Sequence, residues 1–299
     1  MNSKFSEHGI LLLDKPLGLT SNAALSRAKR VLDIRKAGHT GALDPLATGL
    51  LPLCFGQATK VSAFLLDADK SYLAEITLGE STASGDAEGD VVERREVPQL
   101  TRADVEAVLE EFRGTIEQVP PMYSALKHKG RRLHELARAG IEVERKPRQV
   151  KIHRLDMLDF EPPRLVVRVR CSKGTYIRSL AMDIGARLGC GAHLGALRRE
   201  ASGPFVLADA VTLEALEDMN ADQARRLLLA PDAALPHLPR VELDDAEATA
   251  IGHGKAVALK QPPEGVVRIY SRDRFLGLGQ TDPRGVLRVR RLFSVPDGR

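Results

Sequence analysis

Apolar and polar positions follow one another in short, changing rhythms along this chain, and the rhythms predict alternating strands and helices. The apolar run Ile10-Leu11-Leu12-Leu13 predicts a strand over residues 9–13, which leads through Lys15-Pro16 into a helix. Ala24, Leu25, Ala28, Val31 and Leu32 recur at helical spacing, so that helix covers about residues 22–32, with Thr20 or Ser21 as its cap. A second apolar run covers residues 50–54, and helical spacing returns over about residues 58–66. Residues 71–78 alternate as a strand, and the Gly/Ser/Asp-rich stretch 79–89 reads as a surface loop. A capped helix over residues 103–112 opens after Thr101 and is closed by Gly114.

Strands dominate the middle of the chain. They are expected at residues 114–118 and 123–127, and as a long pair at 150–160 and 164–171 joined by Glu161-Pro162-Pro163. A short helix is expected at residues 133–139 and a longer one at 176–188, where Leu180, Ile184 and Leu188 align. Pro231, Pro236 and Pro239 then mark a linker. Beyond it come a helix at residues 245–253 and Gly-separated strands at 265–270, 275–280 and 286–292. These elements predict an α+β fold, with a large unit over residues 1–235 and a small β-rich one over 236–299. No internal repeat of 20 to 50 residues is visible.

Composition narrows the class. With 299 residues, 43% hydrophobic and 28% charged, the chain can bury a substantial core, which argues against disorder. Its first apolar run is far shorter than the roughly 20 residues that span a bilayer, so a soluble, unprocessed, cytoplasmic protein without membrane attachment is expected. Cys54, Cys171 and Cys190 are scattered, which suggests neither a disulfide framework nor a zinc site. Net charge is only +4, but residues 127–154 hold ten Lys or Arg against three Glu, which leaves the remainder at about −3. Such a concentration suits the binding of phosphates, although a basic stretch by itself is equally a solvated face. The last sixty residues, with eleven basic against eight acidic side chains, also lean positive.

Candidate chemistry centres on residues 38–49, Gly-His-Thr-Gly-Ala-Leu-Asp-Pro-Leu-Ala-Thr-Gly. Gly38, Gly41 and Gly49 bracket one His and one Asp, leaving a loop free to adopt tight backbone angles while it presents both side chains. Pro45 restricts Asp44 to extended backbone angles. Taken singly, an Asp-Pro pair is a turn opener, and a lone loop His or a strand Tyr is an ordinary structural residue. The loop lacks the further ligands of a metal site, the elbow of a serine hydrolase and the second acid of a glycosidase.

Residues 38–60, Gly-His-Thr-Gly-Ala-Leu-Asp-Pro-Leu-Ala-Thr-Gly-Leu-Leu-Pro-Leu-Cys-Phe-Gly-Gln-Ala-Thr-Lys, closely resemble the catalytic motif of the TruB family of tRNA pseudouridine synthases. Five further segments agree: Leu13-Asp14-Lys15-Pro16, Lys70-Ser71-Tyr72, Pro120-Pro121-Met122-Tyr123-Ser124-Ala125, Cys171-Ser172-Lys173-Gly174-Thr175-Tyr176-Ile177-Arg178 and Gly191-Ala192-His193-Leu194-Gly195-Ala196-Leu197-Arg198-Arg199. The resemblance is dense over residues 9–200 and weak beyond. It implies a large mixed, mostly antiparallel sheet with flanking helices, and a small PUA-like RNA-binding domain at the C-terminus. It also implies isomerisation of uridine 55 in the T-loop of tRNA after base flipping, with no cofactor, metal or obligatory protein partner, by a monomer.

Residue by residue, Asp44 matches the catalytic aspartate, which an ordinary carboxylate pKa of about 3.9 would leave ionised at neutral pH without special tuning. Arg178 matches its arginine partner and Tyr72 the tyrosine that stacks on the target base and serves as a proton acceptor or relay. Tyr176 and Leu197 match residues of the uracil pocket, His39 the residue that holds the opened T-loop, and Lys15 a basic residue near the site. Ala83-Ser84 departs from the family's frequent Asp-Thr, and His134 from a frequent Tyr. Asp86 reads as a turn residue. The competing reading from another class is a non-catalytic tRNA-binding or RNA-chaperone protein, in which Asp44 only shapes a turn. Within the class, the guide-RNA-dependent branch usually carries a longer N-terminal extension and lacks the His of Gly38-His39-Thr40-Gly41, so the standalone bacterial type fits better.

Overall fold

The computed structural model describes residues 7–293 apart from Ala125 and Lys129. The first half runs β1 (Gly9–Lys15), α1 (Ser21–Leu32), β2 (Ala37–His39), β3 (Ala47–Phe55), a 3-10 turn (Gly56–Val61), α2 (Ser62–Asp67), β4 (Lys70–Leu78), β5 (Glu80–Thr82), β6 (Val91–Arg94), α3 (Arg102–Glu111) and β7 (Gly114–Gln118). It continues with β8 (Lys127–His128), β9 (Arg131–Arg132), α4 (Leu133–Arg138), β10 (Arg148–Glu161), β11 (Arg164–Cys171), α5 (Ile177–Arg187) and β12 (Ala192–Ser202). Then come β13 (Phe205–Val206), β14 (Val211–Thr212), α6 (Leu213–Glu217) and α7 (Ala221–Arg225). The last part holds β15 (Arg240–Glu242), α8 (Asp245–Gly252), β16 (Val257–Ala258), β17 (Gly265–Ser271), β18 (Arg274–Thr281) and β19 (Val286–Leu292).

One large mixed sheet, ordered β14-β1-β3-β12-β4-β11-β10-β7, organises residues 9–212; β2 adds to β3 and β13 to β12. Most of its pairs are antiparallel, while β12 runs parallel to β3. Strand β1 explains the unbroken apolar run. Leu11 and Leu13 join Ala24, Leu25, Ala28 and Leu32 of α1 on one face, while Ile10 and Leu12 join Leu50, Cys54 and Val61 on the other. A strand covered on both faces has no polar side to alternate with. Under β4, β10 and β11, a further cluster collects Val105 and Leu109 of α3 and Leu180, Ala181 and Ile184 of α5.

Helix ends follow local chemistry. Thr20 accepts from the Ala23 amide to start α1, and Thr101 with Asp104 forms a capping box on α3. Several expectations need correction. Residues 58–66 form no single helix but a 3-10 turn followed by the six-residue α2. Of the strand expected at residues 123–127 only Lys127 is in one, at the start of β8; Tyr123 and Ser124 lie in a bend where the Tyr123 carbonyl accepts from Arg178, and Ala125 lies outside the described residues. Stretch 79–89 is not simply a surface loop: Glu80–Thr82 pairs with Val91–Arg94, and Thr82 and Asp86 are buried. The central strand β12 is not evident from the sequence, since its Arg198-Arg199-Glu200 disguises a strand as a solvated segment.

The tail is a five-stranded sheet, ordered β15-β17-β18-β19-β16, with α8 capped by Asp244 and Glu247. Val241, Leu243, Ile251, Val267, Ile269 and Leu287 form its core. The proline-marked segment before it is no free linker. Ala234 and Leu235 are buried with Leu278 and Phe293 of the tail against Ile10, Leu12 and Leu50 of the large sheet. Lys60 Nζ donates to the Leu292 carbonyl at 2.6 Å, and the Tyr270 hydroxyl donates to Asp232 at 2.5 Å. Burying an apolar side chain of this size contributes about 1.5–3 kcal/mol, so Leu278 and Phe293 alone make the docking substantial.

Candidate active site

The loop that carries Asp44 is held from three sides. Ser21, at the start of α1, donates to the Leu43 carbonyl at 3.0 Å and accepts from the Leu43 amide at 2.7 Å. The Gly18 amide donates to the Pro45 carbonyl at 2.9 Å, and Arg199 Nη2 donates to the Gly41 carbonyl at 3.1 Å. Gly41 and Gly49 take positive φ, 120° and 97°, whereas Gly38 does not. Asp44 is therefore a fixed group on an irregular segment, the arrangement that a catalytic side chain needs.

Its carboxylate meets Arg178, whose Nη2 lies 3.0 Å from Asp44 Oδ2. Arg178 is only 6% exposed and is itself clamped. Nη1 donates to the Ser84 carbonyl at 3.1 Å and faces Asp86 at 3.4 Å, while Nη2 also donates to the Tyr123 carbonyl at 2.6 Å. Asp86 is thus a second carboxylate on the same guanidinium, 3% exposed, and not the plain turn residue that its Gly-rich surroundings suggest. Nothing local marks it, because burial of a loop acid is not written in its neighbours. The Ser84 position, where the chain departs from the family's pattern, contributes a backbone carbonyl, so the contact survives the change of side chain.

The surroundings tune Asp44. Half of its side chain is open in the cleft, yet the protein around the other half takes away enough solvation to raise its pKa above the ordinary carboxylate value. Arg178 pulls it back, Asp86 pushes it up and Lys15 lowers it. The expectation of an untuned carboxylate is corrected accordingly. Lys15, at the end of β1, is fully buried and donates to the carbonyls of Pro16 at 2.8 Å and Leu19 at 2.6 Å. Burial brings it down to about 8, against the attraction of Asp44.

Two cavities share Asp44 and Arg178. The smaller, about 350 Å³, is walled by Tyr72, Tyr176 and Leu197 together with Tyr123 and Arg199. The larger, about 540 Å³, is lined by His39, Ser21, Tyr123, Asp86 and Glu88. Five of the seven sequence-derived residues thus meet in one pocket, His39 stands in the adjoining one, and Lys15 lies beneath as a buried neighbour. Burial raises both the Tyr72 and Tyr176 phenols, opposed by Arg199 at the first and by Ser124 at the second. Gln118 grips the Tyr176 backbone, accepting from its amide at 2.7 Å and donating to its carbonyl at 3.1 Å. Burial and the Arg199 charge lower the His39 pKa, which keeps the imidazole neutral near pH 7.

Sheet register explains why residues so distant in sequence converge. Lys15 on β1 pairs with Gly49 on β3, Gly49 with Arg199 on β12, and Arg199 with Tyr72 on β4. Residues in register share a face, so one row across four strands lies under the Asp44 loop. Sequence reasoning misses Arg199 as a site residue, although it stands in the same motif as Leu197. Of the ten cations in residues 127–154, Lys129 and the side chains of Lys127, Arg132 and Arg138 lie outside what the structure describes, and Arg145 and Arg154 are paired with Glu142 and Asp156. Among the described residues no helix is long and apolar enough to cross a membrane, and no three His, Cys, Asp or Glu gather as a metal site.

A carboxylate held by a buried arginine on a large mixed sheet, facing an aromatic-walled cavity, agrees with the class to which comparison with known proteins assigns the chain, the pseudouridine synthases. In overall fold the chain is similar to a chain of the crystal structure of a Cbf5-Nop10-Gar1 complex, with a TM-score of 0.75 at 31% identity, over 97% of this chain and 86% of that one. It is also similar to a chain of an H/ACA RNP bound to a substrate RNA containing 2′-deoxyuridine, with a TM-score of 0.73 at 28% identity, over 97% and 86%. Residues 29–177 match the TruB family pseudouridylate synthase N-terminal domain. Residues 178–236 match the tRNA pseudouridylate synthase B C-terminal domain, and 239–293 the C-terminal domain of pseudouridine synthase II TruB. The tRNA pseudouridine synthase B of Azoarcus sp. (strain BH72) is 55% identical over 290 residues, 97% of this chain and 96% of that protein. That of Thiobacillus denitrificans (strain ATCC 25259 / T1) is 54% identical over 288 residues, 96% of each. The chain belongs to the TruB family of pseudouridylate synthases.

Proposed function

We propose that this protein converts uridine to pseudouridine at position 55 in the T-loop of tRNA, acting alone as a cytoplasmic monomer without metal or cofactor. The observation that carries the reading is the Asp44 carboxylate, 3.0 Å from the clamped Arg178 and open to a cavity walled by Tyr72, Tyr176 and Leu197. Residues 1–235 carry the chemistry, and residues 236–299 serve as a PUA-like RNA-binding unit.

The reaction is an isomerisation: the N1–C1′ bond breaks, a C5–C1′ bond forms, C5 loses a proton and N1 gains one. A nucleotide inside the folded T-loop cannot reach Asp44, so it must leave its stack, at a cost of a few kcal/mol. Stacking on Tyr72 returns about 1–3 kcal/mol of that, and His39, lining the adjoining cavity, supports the opened loop. Asp44 is the ionised group that acts at C1′ or C2′ of the ribose. Arg178 keeps it oriented, and because Ser84, Tyr123 and Asp86 hold the guanidinium, little reorganisation accompanies the chemical step. The cavity is roomy enough for the freed uracil to turn while Tyr176 and Leu197 bound it. Tyr72 is the nearby group suited to accept or relay the C5 proton.

A non-catalytic RNA-binding protein would have no use for a carboxylate held ready beside a base-sized cavity. Asp44→Asn is expected to abolish pseudouridine formation in a T-arm transcript, read by mapping pseudouridine in the product, while RNA affinity stays close to that of the unmodified enzyme. Full activity in the variant would sink the assignment.

A further inference from the structure

Arg199 is the largest side chain that this fold buries completely, at 1% exposure, and among the described residues no carboxylate lies within the 4.0 Å of an ion pair. An unpaired buried cation is costly, so its retention calls for a reason. Its partners suggest one. Nε donates to the Leu50 carbonyl on β3 at 2.6 Å, Nη2 donates to the Gly41 carbonyl of the Asp44 loop at 3.1 Å, and Arg199 stands opposite Tyr72 in the register of β12 and β4, lining the same cavity. One planar group thus touches the strand that continues from the loop and the loop itself, and lines the cavity beside its aromatic wall.

Resting on the function proposed above, we propose that Arg199 is a positioning residue of the isomerisation, locking the Tyr72 ring and the Asp44 loop into one rigid frame. A guanidinium only donates, so toward Tyr72 it can engage only the phenol oxygen, which leaves the phenol's own proton for the cavity side. The fork geometry matters as much as the charge, since a lysine ammonium is a point donor that cannot span from the Leu50 carbonyl to the Gly41 carbonyl in one plane. The guanidinium also favours the ionised phenol, against burial and against Cys171 and Asp44, the other groups that act on Tyr72. Lys70, lining the same cavity, spends its ammonium on the carbonyls of Leu65, Leu66 and Ala68 and does not replace Arg199.

The test uses the full-length enzyme with T-arm RNA and compares Arg199→Met, Arg199→Lys, Tyr72→Phe and the double variant Arg199→Met/Tyr72→Phe. Arg199→Met should slow single-turnover pseudouridine formation on the order of 100-fold, as loss of a preorganised donor does, with RNA affinity little changed. Because both residues belong to one frame, the double variant should lose clearly less than the product of the two single losses. With four tyrosines in the chain, Tyr72 can be followed by carbon NMR of ring-labelled enzyme, and its titration should move to higher pH in Arg199→Met. A loss that multiplies with that of Tyr72→Phe, or a Tyr72 titration that does not move, would mean that Arg199 only supports the fold and would overturn the proposal. If Arg199→Met does not fold, Arg199→Lys carries the same comparison, and an unchanged rate in the folded variant overturns it too. Should the unmodified enzyme form no pseudouridine, the functional reading fails, while the tyrosine titration still reports on Arg199.

Discussion

Replacing Gly49 by alanine tests whether the row of residues beneath the Asp44 loop is as tightly built as its register implies. Gly49 lies between Lys15 and Arg199 in that row, with φ at 97°. An added Cβ would stand 2.4 Å from the Arg199 carbonyl oxygen and 2.8 Å from its amide nitrogen, backbone atoms that no rotamer change can move aside. Holding a non-glycine residue at such a φ costs about 1–2 kcal/mol, and forcing β3 and β12 apart adds about 1–3 kcal/mol. The sum, about 2–5 kcal/mol, corresponds to a fall in thermal midpoint of roughly 5–20 °C for a chain of this size. Activity should fall as well, because Arg199 holds the Gly41 carbonyl and Gly49 closes the loop that begins there. Calorimetry or circular-dichroism melting gives the first quantity, and single-turnover pseudouridine formation the second. A variant that melts within a degree or two of the parent and turns over normally would refute the reasoning.

Other perturbations test the charges and the docking of the tail. Since Asp44's folded pKa is raised, activity should be lost on acidification at a higher pH than the 3.8 of an ordinary aspartate; a profile flat down to that value would contradict the cause given. The same sign means that ionised Asp44 costs stability at neutral pH, a cost relieved as pH falls through its folded pKa, so Asp44→Asn should melt no lower than the parent at pH 7. Asp86→Asn removes one of the charges that raise Asp44, so the acid limb should shift to lower pH; an unmoved limb would mean that Asp86 does not act on Asp44. Phe293→Ala empties the junction beside Phe275 and Lys60, at a cost of up to about 3–5 kcal/mol. Residues 240–293 should then exchange amide hydrogens faster than the large sheet, and uniform exchange would argue against docking through that ring.

Local chemistry is legible in the sequence. Caps identify α1 and α3, helical spacing α1 and α5, and alternation together with glycine spacing locates β11 and β17 to β19 within a residue or so of their ends. The motif pattern singles out Asp44, Tyr72, Tyr176, Arg178 and Leu197, which the fold gathers at one cavity. Caps and spacing depend on neighbours within a few positions, which a sequence displays directly, whereas the site residues stand out only through the resemblance of whole segments to the family's motifs.

Tertiary structure alone decides which charges are buried and against what. Arg199 reaches a carbonyl 149 positions away and Arg178 one 94 positions away, so neither partner can be read from surrounding residues. By composition Asp86 resembles a turn acid, β12 a solvated segment and the prolines after residue 230 a linker, because exposure is the ordinary expectation for each. What reverses those expectations is strand order: with β12 between β3 and β4, the two cations in the row of Lys15, Gly49, Arg199 and Tyr72 are sealed beneath the loop that presents Asp44. The sequence carries the candidate site residues and their local frames, and the long-range pairing of strands supplies the buried field around them.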